Sequence, residues 1–165
     1  MPRKSTVQRD PGPRRPLQIL LAEDCRADVA LVRKALASVQ VPTELTVVDN
    51  GDQLLQYLVD ALNLEDQTNA LPFPDVVLVD LNMPKLDGFK ALELISAQNG
   101  GYTLPLVVIS STAKPEDRRL ARDLGANGFI DKALGPSEFI QQLQFIERLA
   151  LTSGTIVSKP SARRH

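Results

Sequence analysis

From Leu17 onward the chain alternates short runs of β-branched and aliphatic residues with longer stretches in which apolar residues recur every three or four positions. The short runs fall at 18–22, 44–48, 75–80, 104–110 and 128–130. Two of them, Val76-Val77-Leu78-Val79 and Pro105-Leu106-Val107-Val108-Ile109, are nearly continuously apolar, which predicts strands covered on both faces. Between the runs lie helical stripes: Val29, Val32, Leu36 and Val39, then Leu54, Leu55, Leu58 and Leu62, then Phe89, Leu92 and Ile95. The fourth and fifth helices are marked by their starts. Pro115 and Pro136 suit a first helical position, and Glu116 and Glu138 follow where an acid meets the positive helix end. The last stripe is the cleanest, with Phe139, Leu143, Ile146 and Ala150 on one line and Ile140 beside it. Five strands and five helices in strict alternation predict an α/β doubly wound parallel sheet, because each parallel connection needs a right-handed crossover. Residues 63–74, rich in Asn, Asp, Gln and Pro, read as a long surface connection.

Composition narrows the function classes. At 165 residues, 43% hydrophobic and 24% charged, the chain has the size and make-up of one folded domain. The net charge of −1 hides an asymmetry, since residues 1–16 and 152–165 hold eight of the 19 basic residues and one of the 20 acids. The stretch between them is therefore near −8, a poor match for nucleic acid, and no direct DNA binding is expected. The expected organisation is a basic flexible tail over 1–16, a domain over 17–151 and a second tail over 152–165. A single cysteine, Cys25, excludes an internal disulfide, and there is neither an export signal nor an apolar stretch near the ~20 residues that span a bilayer. A cytoplasmic protein without membrane contact is expected.

In a doubly wound sheet, ligands gather outside the carboxyl ends of the strands. Each strand expected to end there runs into polar residues: Glu23-Asp24 after the first, Asp80 at the end of the third, Ser110-Ser111-Thr112 at the fourth and Asp131-Lys132 after the fifth. Singly, such acids cap helices. Together, three converging carboxylates repel one another and call for a cation, and hard oxygen ligands of this kind suit Mg²⁺.

Four separated motifs, Leu21-Ala22-Glu23-Asp24, the run Val79-Asp80-Leu81-Asn82-Met83-Pro84-Lys85-Leu86-Asp87-Gly88, residues 105–110, and Gly125-Ala126-Asn127-Gly128-Phe129-Ile130-Asp131-Lys132, occur in one order. On these the chain resembles the receiver domains of bacterial two-component response regulators over about residues 17–151, which implies a flavodoxin-like fold. The resemblance implies that Asp80 is the phosphoacceptor for a sensor histidine kinase and that Glu23, Asp24, Asp80 and the backbone carbonyl of Asn82 hold Mg²⁺. It makes Lys132 the contact to the phosphoryl oxygens, Ser110 the hydroxyl that turns toward the aspartyl phosphate, and Phe129 the aromatic switch. In that family the lysine is usually followed by proline across a cis bond; here Ala133 follows, and a cis Lys132–Ala133 bond held by the site is the expectation, against a cost of about 2.5–4 kcal/mol.

Only 14 residues follow Leu151, so the expected output is a change of protein contacts by a stand-alone regulator. Among single-domain receivers the chain looks most like those paired with bacterial phytochromes, which implies a homodimer through the fourth helix, fifth strand and fifth helix. Arg118, Arg119 and Arg122 would face Asp131, Glu138 or Glu147 of the second copy, with Leu151, Ile156 and Val157 at its centre. Self-dephosphorylation is the only enzymatic step implied. Two rivals stand beside this reading. A haloacid dehalogenase-type phosphatase also forms an aspartyl phosphate, but carries a second acid two residues on, where this chain has Asn82. A flavodoxin-like FMN binder would need hydroxyls and free amides in the first loop, which is acidic here.

Overall fold

The computed structural model describes residues 15–62, 71–83, 87–97, 104–112 and 114–152. The strands are β1 (Leu17–Ala22), β2 (Thr43–Val48), β3 (Val76–Asp80), β4 (Leu106–Ser110) and β5 (Gly128–Asp131). The helices are α1 (Arg26–Leu36), α2 (Gly51–Leu62), α3 (Gly88–Ala97), α4 (Pro115–Asp123), α5 (Pro136–Leu143) and α6 (Phe145–Thr152), with a 3-10 turn over Lys132–Leu134. All pairings are parallel, in the order β2-β1-β3-β4-β5. The sheet is the doubly wound one the alternation predicts. Within the described parts of the two predicted tails, Arg15, Pro16 and Thr152 are seen; the rest of both tails, and residues 63–70 of the long connection, lie outside the described residues.

Burial explains why the central runs read as continuously apolar. Every residue of β3 and β4 is buried, and successive side chains go to opposite faces. Val77, Val79, Leu106 and Val108 join Leu54, Leu58, Leu92 and Ala121 under α2, α3 and α4. Val76, Leu78, Val107 and Ile109 join Val32, Leu36, Phe139, Leu143 and Ile146 under α1, α5 and α6. Pro115 and Pro136 open their helices as expected. The predicted fifth helix runs as two adjoining pieces: Gln144 keeps right-handed helical angles and donates to the Ile140 carbonyl at 3.2 Å. Ahead of α5, Gly135 sits at φ 100°, a conformation only glycine takes without strain.

Two acids at opposite ends of the sheet are buried. Asp75, 1% exposed, precedes β3 at the amino-terminal pole, and Asp80, 5% exposed, ends it at the other. Arg15, placed in the basic tail by composition, closes on Asp75 with two bonds of 2.7 and 2.8 Å, and the Gln18 N–H donates to the same carboxylate at 2.8 Å.

Candidate functional site

The register brings the strand ends to one level, with Ala22 beside Val79, Asp80 beside Ile109 and Ser110 beside Asp131. The chain leaves β1 through Glu23 and Asp24, so both acids hang over the junction of β1 and β3, where the strand order reverses. One oxygen from each of Glu23, Asp24 and Asp80 lies within 4.8 Å of the others. Glu23 is buried and Asp24 exposed, so the cluster has a closed and an open side. Its donor set, three carboxylates and no nitrogen or sulfur, fits a hard divalent cation. Burial pushes the Glu23 carboxyl up to about 7, against the hydrogen bonds it takes from Lys132 and the Cys25 N–H, and the Asp80 charge adds to the rise. Without added positive charge the closed side of this cluster resists carrying a full set of anions.

The turn after β3 is tight. The Asn82 N–H donates to Asp80 Oδ1 at 3.2 Å, and a Cβ on Gly88 would stand 2.6 Å from the Asp80 carbonyl oxygen. Only glycine lets α3 begin so close to the strand end. Pro84, Lys85 and Leu86 of the same motif lie outside the described residues.

Lys132 enters from the far side. Its Nζ donates to Glu23 Oε2 at 2.6 Å and to Asp28 Oδ2 at 2.8 Å, and stands 3.6 Å from Asp80 Oδ2. Burial opposes its charge, but the bonds to Asp28 and Glu23 and the nearby Asp80 more than offset that, leaving its pKa above the ordinary value. The expected cis bond after this lysine is not formed: the described peptide bonds are all trans. The reason is local, because the trans chain turns through the 3-10 segment, where the Ala133 N–H donates to Asp131 Oδ1 at 2.8 Å. A non-proline residue gains nothing from cis that would offset its cost. The lysine reaches the acids all the same.

Ser110 is fully buried at the end of β4, and its Oγ accepts the Thr112 N–H at 3.1 Å and lies 3.3 Å from Thr112 Oγ1. Phe129 is half-buried on β5 under the Arg118 guanidinium, which is 4.8 Å from the ring centre and 3.7 Å from Asp131 Oδ2. The sequence reading missed two contacts here. Arg118, expected to face a second copy, meets Asp131 of its own chain. Asp28, four residues after Asp24 in the first turn of α1, is a direct partner of Lys132, and the spacing of acids at 23, 24 and 28 was the available signal.

The family model described as the response regulator receiver domain matches residues 19–144. Response regulator Rcp1 of Synechocystis is 28% identical over 141 residues, covering 86% of this chain and 93% of Rcp1. The crystal structure of its Mn(2+)-bound form superposes with a TM-score of 0.68 over 88% of this chain and all of that one. The structure of the phosphorylated cyanobacterial phytochrome response regulator RcpA is 33% identical, with a TM-score of 0.70, over 89% of this chain and all of that one. Other relatives are longer: the chain spans 34% of chemotaxis protein CheV2 of Helicobacter pylori, at 30% identity. The dehalogenase-type and FMN-binding readings find no support in these matches. Likeness that runs from β1 through α5, on a sheet whose strand ends gather acids and a lysine, makes this chain a member of the response regulator receiver domain family, a signalling module that works with a histidine kinase and binds a divalent metal at its acidic pocket.

Proposed function

We propose that the chain is a stand-alone regulator whose Asp80 accepts a phosphoryl group from a phosphohistidine. The observation that carries this is the setting of Asp80, a nearly buried carboxylate at a strand end with two further acids and the Lys132 ammonium around it. In the transfer, the donor's N–P bond breaks as a bond forms from an Asp80 carboxylate oxygen to phosphorus. The histidine nitrogen keeps the electron pair of the broken bond. Mg²⁺ held by Asp24, Asp80, Glu23 (directly or through water) and the Asn82 carbonyl would offset the repulsion between carboxylate and phosphoryl dianion. Lys132 supplies the second positive charge, buried at its side chain and so little screened. Ser110 would leave Thr112 to donate to the phosphoryl group, and Phe129 would follow it.

The domain is taken as 17–151 with basic tails, in the cytoplasm, acting by contacts with proteins and not with DNA or a membrane. Among the described residues no helix is long and apolar enough to cross a membrane. Similarity to Rcp1 and RcpA supports a phytochrome-type histidine kinase as partner. Homodimerisation through α4, β5 and α5 remains the proposed output. With Arg118 engaged in its own chain, exposed Arg119 and Arg122 are the cations left to meet Glu138 and Glu147 of a second copy. Leu151 is described in backbone only and Ile156 and Val157 lie outside the described residues. Sedimentation of the phosphorylated protein is expected to give a dimer, and a monomer in both states would sink that output.

Acetyl phosphate or a cognate kinase, with Mg²⁺, is expected to label the wild type through a hydroxylamine-labile bond and leave Asp80→Asn unlabelled. Full labelling of Asp80→Asn, or a label that survives hydroxylamine, would overturn the proposal.

A further inference from the structure

Lys132 is held by more acids than the phosphoryl reading requires. An ammonium has three protons to give. One goes to Glu23 at 2.6 Å and one to Asp28 at 2.8 Å, while Asp80, at 3.6 Å, is beyond hydrogen-bond reach. The two bonded acids both lie at the start of the chain's first crossover, 109 and 104 residues before the lysine, so the contact ties the β1–α1 segment to the turn after β5. Asp28 differs from the other acids around the lysine. It is outside the cluster of Glu23, Asp24 and Asp80, it stands on a helix and not at a strand end, and it is one-third exposed where Glu23 and Asp80 are nearly closed off.

We infer that Asp28 is a positioning residue that holds Lys132 back from Asp80 and competes with the phosphoryl group for it. The inference rests on the reading of Asp80 as phosphoacceptor. Before transfer, the Asp28 carboxylate keeps the ammonium on the α1 side, so Asp80 is open to a metal and to the incoming group. After transfer, the phosphoryl oxygens outbid Asp28, because two negative charges on the phosphoryl group attract the lysine more than one on a part-exposed carboxylate. The cost of breaking the Lys132–Asp28 bond then subtracts from the hold on the phosphoryl group. Asp28 thus sets how firmly the activated state is kept.

The test is the affinity for beryllium trifluoride, a phosphoryl analogue, at saturating Mg²⁺. Asp28→Asn keeps the side-chain shape in the first turn of α1 and removes the charge. It is expected to bind the analogue about fivefold more tightly than the wild type, the size of a part-exposed ion pair, while Asp28→Glu stays near the wild type. The same change made in a Lys132→Ala background is expected to leave the affinity of that background unaltered, since the effect passes through the lysine. An equal gain with and without the lysine would mean simple removal of a nearby negative charge and would overturn the inference. So would unchanged or weakened binding by Asp28→Asn. If the wild type itself fails to bind the analogue, the reading of Asp80 falls and this inference with it, which separates the two failures.

Discussion

The two poles of the sheet each bury an aspartate at one end of β3, and they settle its charge in opposite ways. At the amino-terminal pole Asp75 meets one arginine through two bonds and one backbone N–H, so a single anion has a single cation and its oxygens are occupied. At the carboxyl-terminal pole Asp80 shares one lysine with Glu23 and Asp28, has Asp24 beside it, and receives one N–H from Asn82. A balanced, bidentate pair fixes the chain and asks for nothing more. Among the described residues, an excess of carboxylates around one ammonium leaves negative charge uncompensated, and such a place favours the uptake of cations. The two buried aspartates that flank β3 thus differ in the count of charges around them, not in burial.

The sharpest way to break this contrast is to change the acids gathered at the Asp80 pole. Asp24→Asn is expected to weaken Mg²⁺ binding by about tenfold or more, because an ion held there as proposed would lose one of its few anionic ligands and keep its dehydration cost. Calorimetric titration measures it. The variant is not expected to lose stability without metal, since removing one carboxylate from a repelling group relieves the fold. A metal affinity equal to that of the wild type would take Asp24 out of the coordination sphere.

The same contrast marks what could be read without coordinates. Period and run length exposed the sheet, since the unbroken Val76 to Val79 run demanded cover on both faces and has it. Acids ending strands pointed to one pole because parallel strands end on one side. Three things escaped for physical reasons. The Lys132–Asp28 bond joins positions 104 apart and depends on how far a flexible lysine reaches, which no local pattern encodes. The bond after Lys132 is trans, the default for a residue other than proline, and the cis expectation came from resemblance to a proline-bearing family and not from Ala133 itself. Arg15 looked like part of a solvated basic tail because its partner, Asp75, reads as the first residue of a strand and not as a buried anion.

A second test sharpens the comparison from the Asp75 pole. Arg15→Ala leaves Asp75 buried with, among the described residues, only the Gln18 N–H, and a buried carboxylate stripped of its cation is costly. The arginine itself is about half exposed, with 48% of its side chain accessible, so water enters when it goes and the penalty falls to about 1–2 kcal/mol. Thermal melting is expected to drop by a few degrees, at roughly 2–4 °C per kcal/mol for a chain of this size. Mg²⁺ affinity is expected to stay as in the wild type, because the two poles are separated by the length of β3, roughly 17 Å at about 3.3 Å per residue. In the Arg15→Ala, Asp24→Asn double variant the losses are expected to add to within about 0.5 kcal/mol, as they do for sites without shared partners. A larger coupling would mean that the clamp at Asp75 steers the acids at the other end of the strand, and the division of labour between the poles would fail.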